Sequence, residues 1–109
     1  MSAIRSIVVV DDDIDHALIV RLVLSEVAPQ ADVTVFTDRH DLVPRLAETP
    51  VGSQVLMDRM LDGQDGCGLL PQVRQSRPDL SLVMLSAHLG DNDRARALAS
   101  GAHYAAEKP

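Results

Sequence analysis

Two short runs, Ile7-Val8-Val9-Val10 and Val55-Leu56-Met57, are apolar at every position, and each stops at a carboxylate. A strand with one wet face alternates apolar and polar residues. An unbroken run reads instead as a strand buried on both faces, the habit of parallel sheets covered by helices. The first strand runs from Ile4 to Val10 and meets Asp11-Asp12-Asp13; the second of these, from Gln54 to Met57, meets Asp58. Between them the period changes. From about Asp15 to Val27 apolar residues recur at helical spacing, with Ile19, Val20, Val23, Leu24 and Val27 expected on one inward face and Pro29 just past the end. Asp32 to Phe36 alternates as a strand, and His40 to Ala47 reads as a short helix carrying Pro44 and closed by Thr49-Pro50.

Beyond Asp58 the alternation continues. Gly66-Cys67-Gly68 opens a helix to about Gln75 with Leu69, Leu70 and Val73 inward, Leu80 to Leu85 is a strand, and Asp91 to Ser100 is a helix stopped by Gly101. Ala102 to Ala106 forms the last strand before Glu107-Lys108-Pro109. Five strands alternating with four helices predict one doubly wound α/β domain over residues 1–109, with a parallel sheet and right-handed crossovers. No output domain and no helix after the fifth strand are read in these residues. Leu18 and Leu22 fall on the expected outer flank of the first helix, which predicts a further contact there, with another helix or another subunit, and self-association into a homodimer through that flank is expected.

The chain of 109 residues carries a net charge of -6, which argues against a broad nucleic-acid-binding surface and suits acids that bind a cation. One cysteine, Cys67, cannot make an internal disulfide, and no stretch is long enough to span a bilayer; a cytoplasmic protein without membrane partners is expected. Nine of the ten basic residues are Arg and one is Lys, at position 108. An ammonium is a compact point charge suited to a phosphoryl oxygen, and Arg does not replace it.

In a parallel sheet the carboxyl ends of all strands lie on one edge, where ligands of open α/β folds gather. That edge would collect Asp11-Asp12-Asp13, Asp58, Ser86-Ala87 and Lys108. Each alone reads equally as a turn, a cap or a solvated charge. Together they form a site whose like charges repel unless a cation sits among them. A hard divalent ion answers that need; Mg²⁺ takes about six oxygens, one or two of them from carboxylates.

Val8-Val9-Val10-Asp11-Asp12, Leu56-Met57-Asp58, Asp65-Gly66, Leu85-Ser86-Ala87, Gly101-Ala102 and Lys108-Pro109 form a spaced set that resembles the receiver domain of two-component response regulators over essentially the whole chain. The resemblance implies a flavodoxin-like sheet of strand order 2-1-3-4-5. It also implies that Asp58 takes a phosphoryl group from a phosphohistidine on a sensor histidine kinase or phosphotransfer protein, so that the domain catalyses only its own phosphorylation and dephosphorylation. Asp12 would bind Mg²⁺ directly, Asp11 mainly through water, and Asp58 and the backbone carbonyl of Met60 would each supply an oxygen. Ser86 and Lys108 would contact phosphoryl oxygens, and the Lys108-Pro109 peptide is often cis in this family.

Two departures stand out. Asp62 replaces the family's usual proline after the phosphoacceptor. Ala105 replaces the usual aromatic residue three before the lysine, with Tyr104 expected on the opposite strand face. Met60 and His88 hold positions that in the family flank the site and tune phosphoryl lifetime; a solvated loop histidine is the plainer reading of His88. His16, His40 and His103 lack ligand spacing and read as surface or partly buried residues. Cys67 reads as a small packed residue, with nearby acids opposing a reactive thiolate. Two alternatives are a small phosphatase resembling the haloacid dehalogenase superfamily, using Asp11 and Asp13 with Ser86 and Lys108, and a receiver-like dimerisation module that no longer switches.

Overall fold

The computed structural model describes residues 5–38, 40, 42–61 and 63–108. Ile4, Arg39, Asp41, Asp62 and Pro109 lie outside these, and with them the extra loop carboxylate and the Lys108-Pro109 peptide singled out by the sequence. The chain runs β1 (Ser6–Val10), α1 (Ile14–Val27), β2 (Asp32–Phe36), α2 (Leu42–Leu46), β3 (Gln54–Asp58), β4 (Met60–Leu61), β5 (Gln64–Asp65), a 3₁₀ turn (Gly66–Gly68), α3 (Leu70–Ser76), β6 (Ser81–Ser86), α4 (Asp91–Ser100) and β7 (Tyr104–Glu107). β2-β1-β3-β6-β7 form one sheet, all pairs parallel, which is the expected 2-1-3-4-5 order once the small β4-β5 hairpin is left out of the numbering.

Register explains why the strand ends meet. Val10 pairs with Met57, Met57 with Met84 and Met84 with Ala105, so the residues that follow in each strand emerge level with one another along one edge. Asp58 and Ser86 are themselves the last residues of their strands, one position beyond the ends expected from apolarity alone. Sheet hydrogen bonding therefore continues through both functional positions. It holds their backbones more rigidly than a loop would.

The two sheet faces are filled unequally. Val8, Val10, Val55, Met57, Leu82, Met84 and Ala105 pack with Leu42 and Leu46 of α2, Leu70 and Val73 of α3 and Ala97 of α4 in the larger core. On the other face Ile7 and Val9 pack against Val20 of α1, with Leu24, Val33, Val35 and Leu56 partly buried around them. Here the expected inner face of α1 needs correction. Ala17 and Val20 are its buried residues; Ile19, Val23 and Val27 are exposed, together with Ile14, Leu18 and Leu22. A single helix on a sheet buries only the narrow strip that touches the strands beneath it, and apolar residues beside that strip or near the helix end stay outside it.

The helix ends obey local rules. Asp13 caps α1 by accepting from the His16 amide at 3.2 Å, and Gly101 closes α4 at φ 128°, where a side chain would be strained. Arg77, at the end of α3, donates to the carbonyls of Leu46 at 2.7 Å and Thr49 at 3.1 Å and pairs with Asp79 at 2.8 Å, joining the ends of α2 and α3. No helix among the described residues is long and apolar enough to cross a membrane.

Candidate functional site

The acidic triplet after β1 divides its work. Asp13 is spent on the helix cap. Asp12 stays exposed at the edge. Asp11 is 2 % exposed; its Oδ1 accepts from the Asp13 amide at 2.9 Å and its Oδ2 meets His16 Nδ1. From β3, Asp58 enters at 7 % exposure, its Oδ1 accepting from the Met60 amide at 3.3 Å. Carboxylate oxygens of Asp11, Asp12 and Asp58 all lie within 4.8 Å of one another.

Lys108 closes the arrangement from the far end of the chain. Its amide donates to the Ser86 carbonyl at 2.9 Å, which continues the β6-β7 ladder by one residue and fixes where the side chain starts. Its Nζ reaches Asp58 Oδ2 at 2.9 Å and Asp11 Oδ2 at 3.7 Å. Ser86, buried, donates from Oγ to the His88 carbonyl at 2.7 Å, so this hydroxyl must rotate before it can serve a ligand. Asp58, Met60, Ser86, His88 and Lys108 share an open cleft of about 270 Å³ with Arg59, Ala87 and Asp93.

The electrostatics follow from this crowding. Burial raises the Asp58 carboxyl above its ordinary value; the Lys108 hydrogen bond lowers it in part, and the nearby Asp11 charge raises it again. Three oxygen-donor acids with an open side and no sulfur ligand suit a hard divalent cation, and the acidic cluster fits one on donor chemistry. The site therefore pairs a place for a cation with a buried carboxylate beside a fixed ammonium. Such a set can stabilise negative charge gathering at Asp58.

The structure thus brings together Asp11, Asp12, Asp58, Ser86 and Lys108, and puts the Met60 backbone next to them. His16 is partly buried, within its reading as a surface or partly buried residue, and the contact of its ring with Asp11 is what the spacing did not show. The signal was its place in the first turn of α1, where a side chain can reach back over the cap. Arg59 and Asp93 were missed as well. Arg59 Nη1 pairs with Asp93 Oδ1 at 2.9 Å, and Arg96 Nη1 pairs with Asp65 Oδ2 at 2.7 Å. Nothing in linear spacing relates residues on separate elements in this way. His88 is exposed, as its plainer reading expected. Cys67 is buried, and burial first and then Asp65 push its thiol up, away from reactivity. Ala105 is 1 % exposed and Tyr104 60 %, on opposite faces of β7.

Comparison with known proteins agrees with the fold. The family model of the response regulator receiver domain matches residues 7–109. The response regulator protein VraR of Staphylococcus saprophyticus is 30% identical over 97 residues, covering 80% of this chain and 43% of that protein. This chain therefore spans less than half the length of the curated relatives it matches. Among solved structures, the signal receiver domain of a DNA binding response regulator from Colwellia psychrerythraea superposes with a TM-score of 0.84 at 22% identity, over 96% of this chain and 86% of that one. A response regulator of Burkholderia pseudomallei, solved with a phosphorylated aspartic acid, a calcium ion and citrate, superposes at 0.82 and 17% identity, over 96% of this chain and 60% of that one. At these identities the two structures speak for the fold; the match across nearly the full length carries the family, and the chain belongs to the response regulator receiver domains of two-component systems.

Proposed function

We propose that the domain accepts a phosphoryl group on Asp58 from the phosphohistidine of a sensor kinase or phosphotransfer protein, with Mg²⁺ held by Asp11, Asp12, Asp58 and the Met60 carbonyl. The observation that carries this is the Lys108 ammonium, 2.9 Å from Asp58 Oδ2 in a cleft that also holds Ser86. A carboxylate oxygen of Asp58 attacks phosphorus, the nitrogen-phosphorus bond of the donor breaks, and the imidazole leaves with its electron pair and takes up a proton. Lys108 neutralises charge on a phosphoryl oxygen, and Ser86 turns from the His88 carbonyl to donate to another. When bound, the metal ion would offset the charges of the carboxylates and of the phosphoryl group.

Incubation with acetyl phosphate and Mg²⁺ tests this reading. Intact-mass spectrometry should show one added phosphoryl group on the folded wild type and none on Asp58→Asn. A folded wild type that stays unmodified with both small donors and a phosphohistidine protein would overturn it. The phosphatase alternative gains no support from the family match. Self-association through α1 is supported by the exposed Ile14, Leu18, Ile19, Leu22, Val23 and Val27; a monomer by light scattering at high concentration would count against it. A cytoplasmic setting is supported by the free, buried Cys67.

A further inference from the structure

Arg59 directly follows the proposed phosphoacceptor and is held by acids on two other elements. Its Nη1 lies 2.9 Å from Asp93 Oδ1 in the first turn of α4, and its Nε lies 3.9 Å from Asp65 Oδ2 at the entrance to α3. Asp65 in turn takes Arg96 Nη1 at 2.7 Å from the middle of α4. Two arginines and two acids thus form one chain of charge that ties α4 to the loop after β3. Arg59 and Asp93 also line the same cleft as Asp58, Ser86 and Lys108. The pair faces the place where new charge would arrive.

We propose that Arg59 is a phosphoryl-binding residue that exchanges partners, leaving Asp93 for the phosphoryl group on Asp58 and so unlatching the first turn of α4. This rests on the phosphoacceptor reading above. A phosphoryl group adds close to two negative charges and three strong acceptor oxygens, whereas Asp93 offers one charge from a half-exposed carboxylate. A guanidinium fork matches phosphate geometry on two oxygens at once. Asp93 in turn faces the incoming dianion across the cleft, so repulsion favours the same movement. The carboxylate it leaves behind is not stranded: the Gly90 amide donates to Asp93 Oδ2 at 3.4 Å, and the helix dipole favours an acid there.

Ala105 is buried in β7 and Tyr104 is exposed on its other face, so no aromatic side chain of this strand lies on the inner face beside α4. The Arg59-Asp93 contact joins the reacting centre to α4 without an aromatic residue. A change of charge at Asp58 reaches α4 through one side chain.

Amide hydrogen exchange over residues 94–97, whose amides bond back to the carbonyls of Gly90 and the first turn of α4, with and without acetyl phosphate and Mg²⁺, tests the exchange of partners in the whole chain. In the wild type, phosphorylation should speed exchange in this turn about two- to fivefold, the worth of one half-exposed ion pair. Asp93→Asn should show the faster exchange before phosphorylation and no further rise after it. Arg59→Ala should do the same and should also take phosphate from acetyl phosphate about tenfold more slowly, since a charged donor to the phosphoryl group is lost. Arg59→Lys should recover only part of that rate. A wild type that is phosphorylated while the turn keeps its protection overturns the proposal, as does an Arg59→Ala or Asp93→Asn protein whose turn responds like the wild type. A wild type that accepts no phosphate sinks the phosphoacceptor reading itself, a different result.

Discussion

Lys108 Nζ lies 2.9 Å from Asp58 Oδ2 and, at 3.7 Å from Asp11 Oδ2, serves a second buried carboxylate as well. One cation thus offsets two acids that would otherwise face each other in a poorly solvated site. Replacing it with an apolar side chain of similar length, Lys108→Met, should lower stability by about 1–3 kcal/mol at neutral pH in urea unfolding without metal. Adding Asp58→Asn to that variant should restore most of the loss, because the second mutation removes the acid left unpaired. Two losses that simply add would show that the ammonium does not act on Asp58.

Asp58 itself makes the apo protein sensitive to pH. Burial holds its carboxyl above the ordinary value, so the folded state keeps this proton to a higher pH than the unfolded state does. The associated stability is complete below the ordinary carboxylate value and is lost as pH rises through the raised one. Asp58→Asn should therefore raise the Tm by a few degrees at pH 7 and by less at pH 4, in calorimetry without divalent metal. An equal gain at both pH values would assign the effect to packing.

A cation should stabilise the fold through the same acids. If Asp11, Asp12 and Asp58 hold Mg²⁺, added ion stabilises the native state by about 2.7 kcal/mol at a hundredfold excess over its Kd. Asp12→Asn, at the exposed corner of the cluster, should abolish most of this gain. Titration calorimetry of both proteins with Mg²⁺ alone checks it.

Gly66 keeps the loop after Asp58 in place. A Cβ there would lie 2.8 Å from the Asp58 carbonyl oxygen and 3.1 Å from that of Arg59, both backbone atoms that cannot move aside without shifting the phosphoacceptor. Gly66→Ala should destabilise the domain by about 1–3 kcal/mol and slow phosphorylation as well. Gly68→Ala, two residues on, where a Cβ meets nothing within 4 Å, is the control and should leave the Tm unchanged or slightly higher.

Arg77 should matter for stability alone. Losing its bonds to the Leu46 and Thr49 carbonyls in Arg77→Ala should remove about 2 kcal/mol, and Arg77→Lys should recover little of it, since an ammonium cannot span those carbonyls and Asp79 together. The Asp79 carboxyl, held well below its ordinary value by Arg77, contributes above the ordinary value and loses that contribution as pH falls. Chemical unfolding at pH 7 and pH 3 separates the two effects.

Much of the protein could be read along the chain because its main signals are local. Unbroken apolar runs announced strands buried on both faces, and helical periods between them announced the crossovers. A parallel sheet then sends every strand end to one edge, so Asp11, Asp12, Asp58, Ser86 and Lys108 can be assembled from their places in the strands alone. Strands of two residues, such as those at Met60 and Gln64, carry no period and went unread. Which side of α1 touches the sheet was read too broadly, because periodicity gives a helix an apolar face but not the width of the surface beneath it.

By itself the sequence determined the fold class, the strand order through its resemblance, and the members of the acidic site. Only the tertiary structure decided that His16 braces Asp11, that Ser86 spends its hydroxyl on His88, and that Arg59 clasps Asp93. The physical reason is reach. Strand and helix membership follow from neighbours a few positions away, whereas an ion pair between a strand-end loop and a distant helix depends on how the packed core sets one against the other.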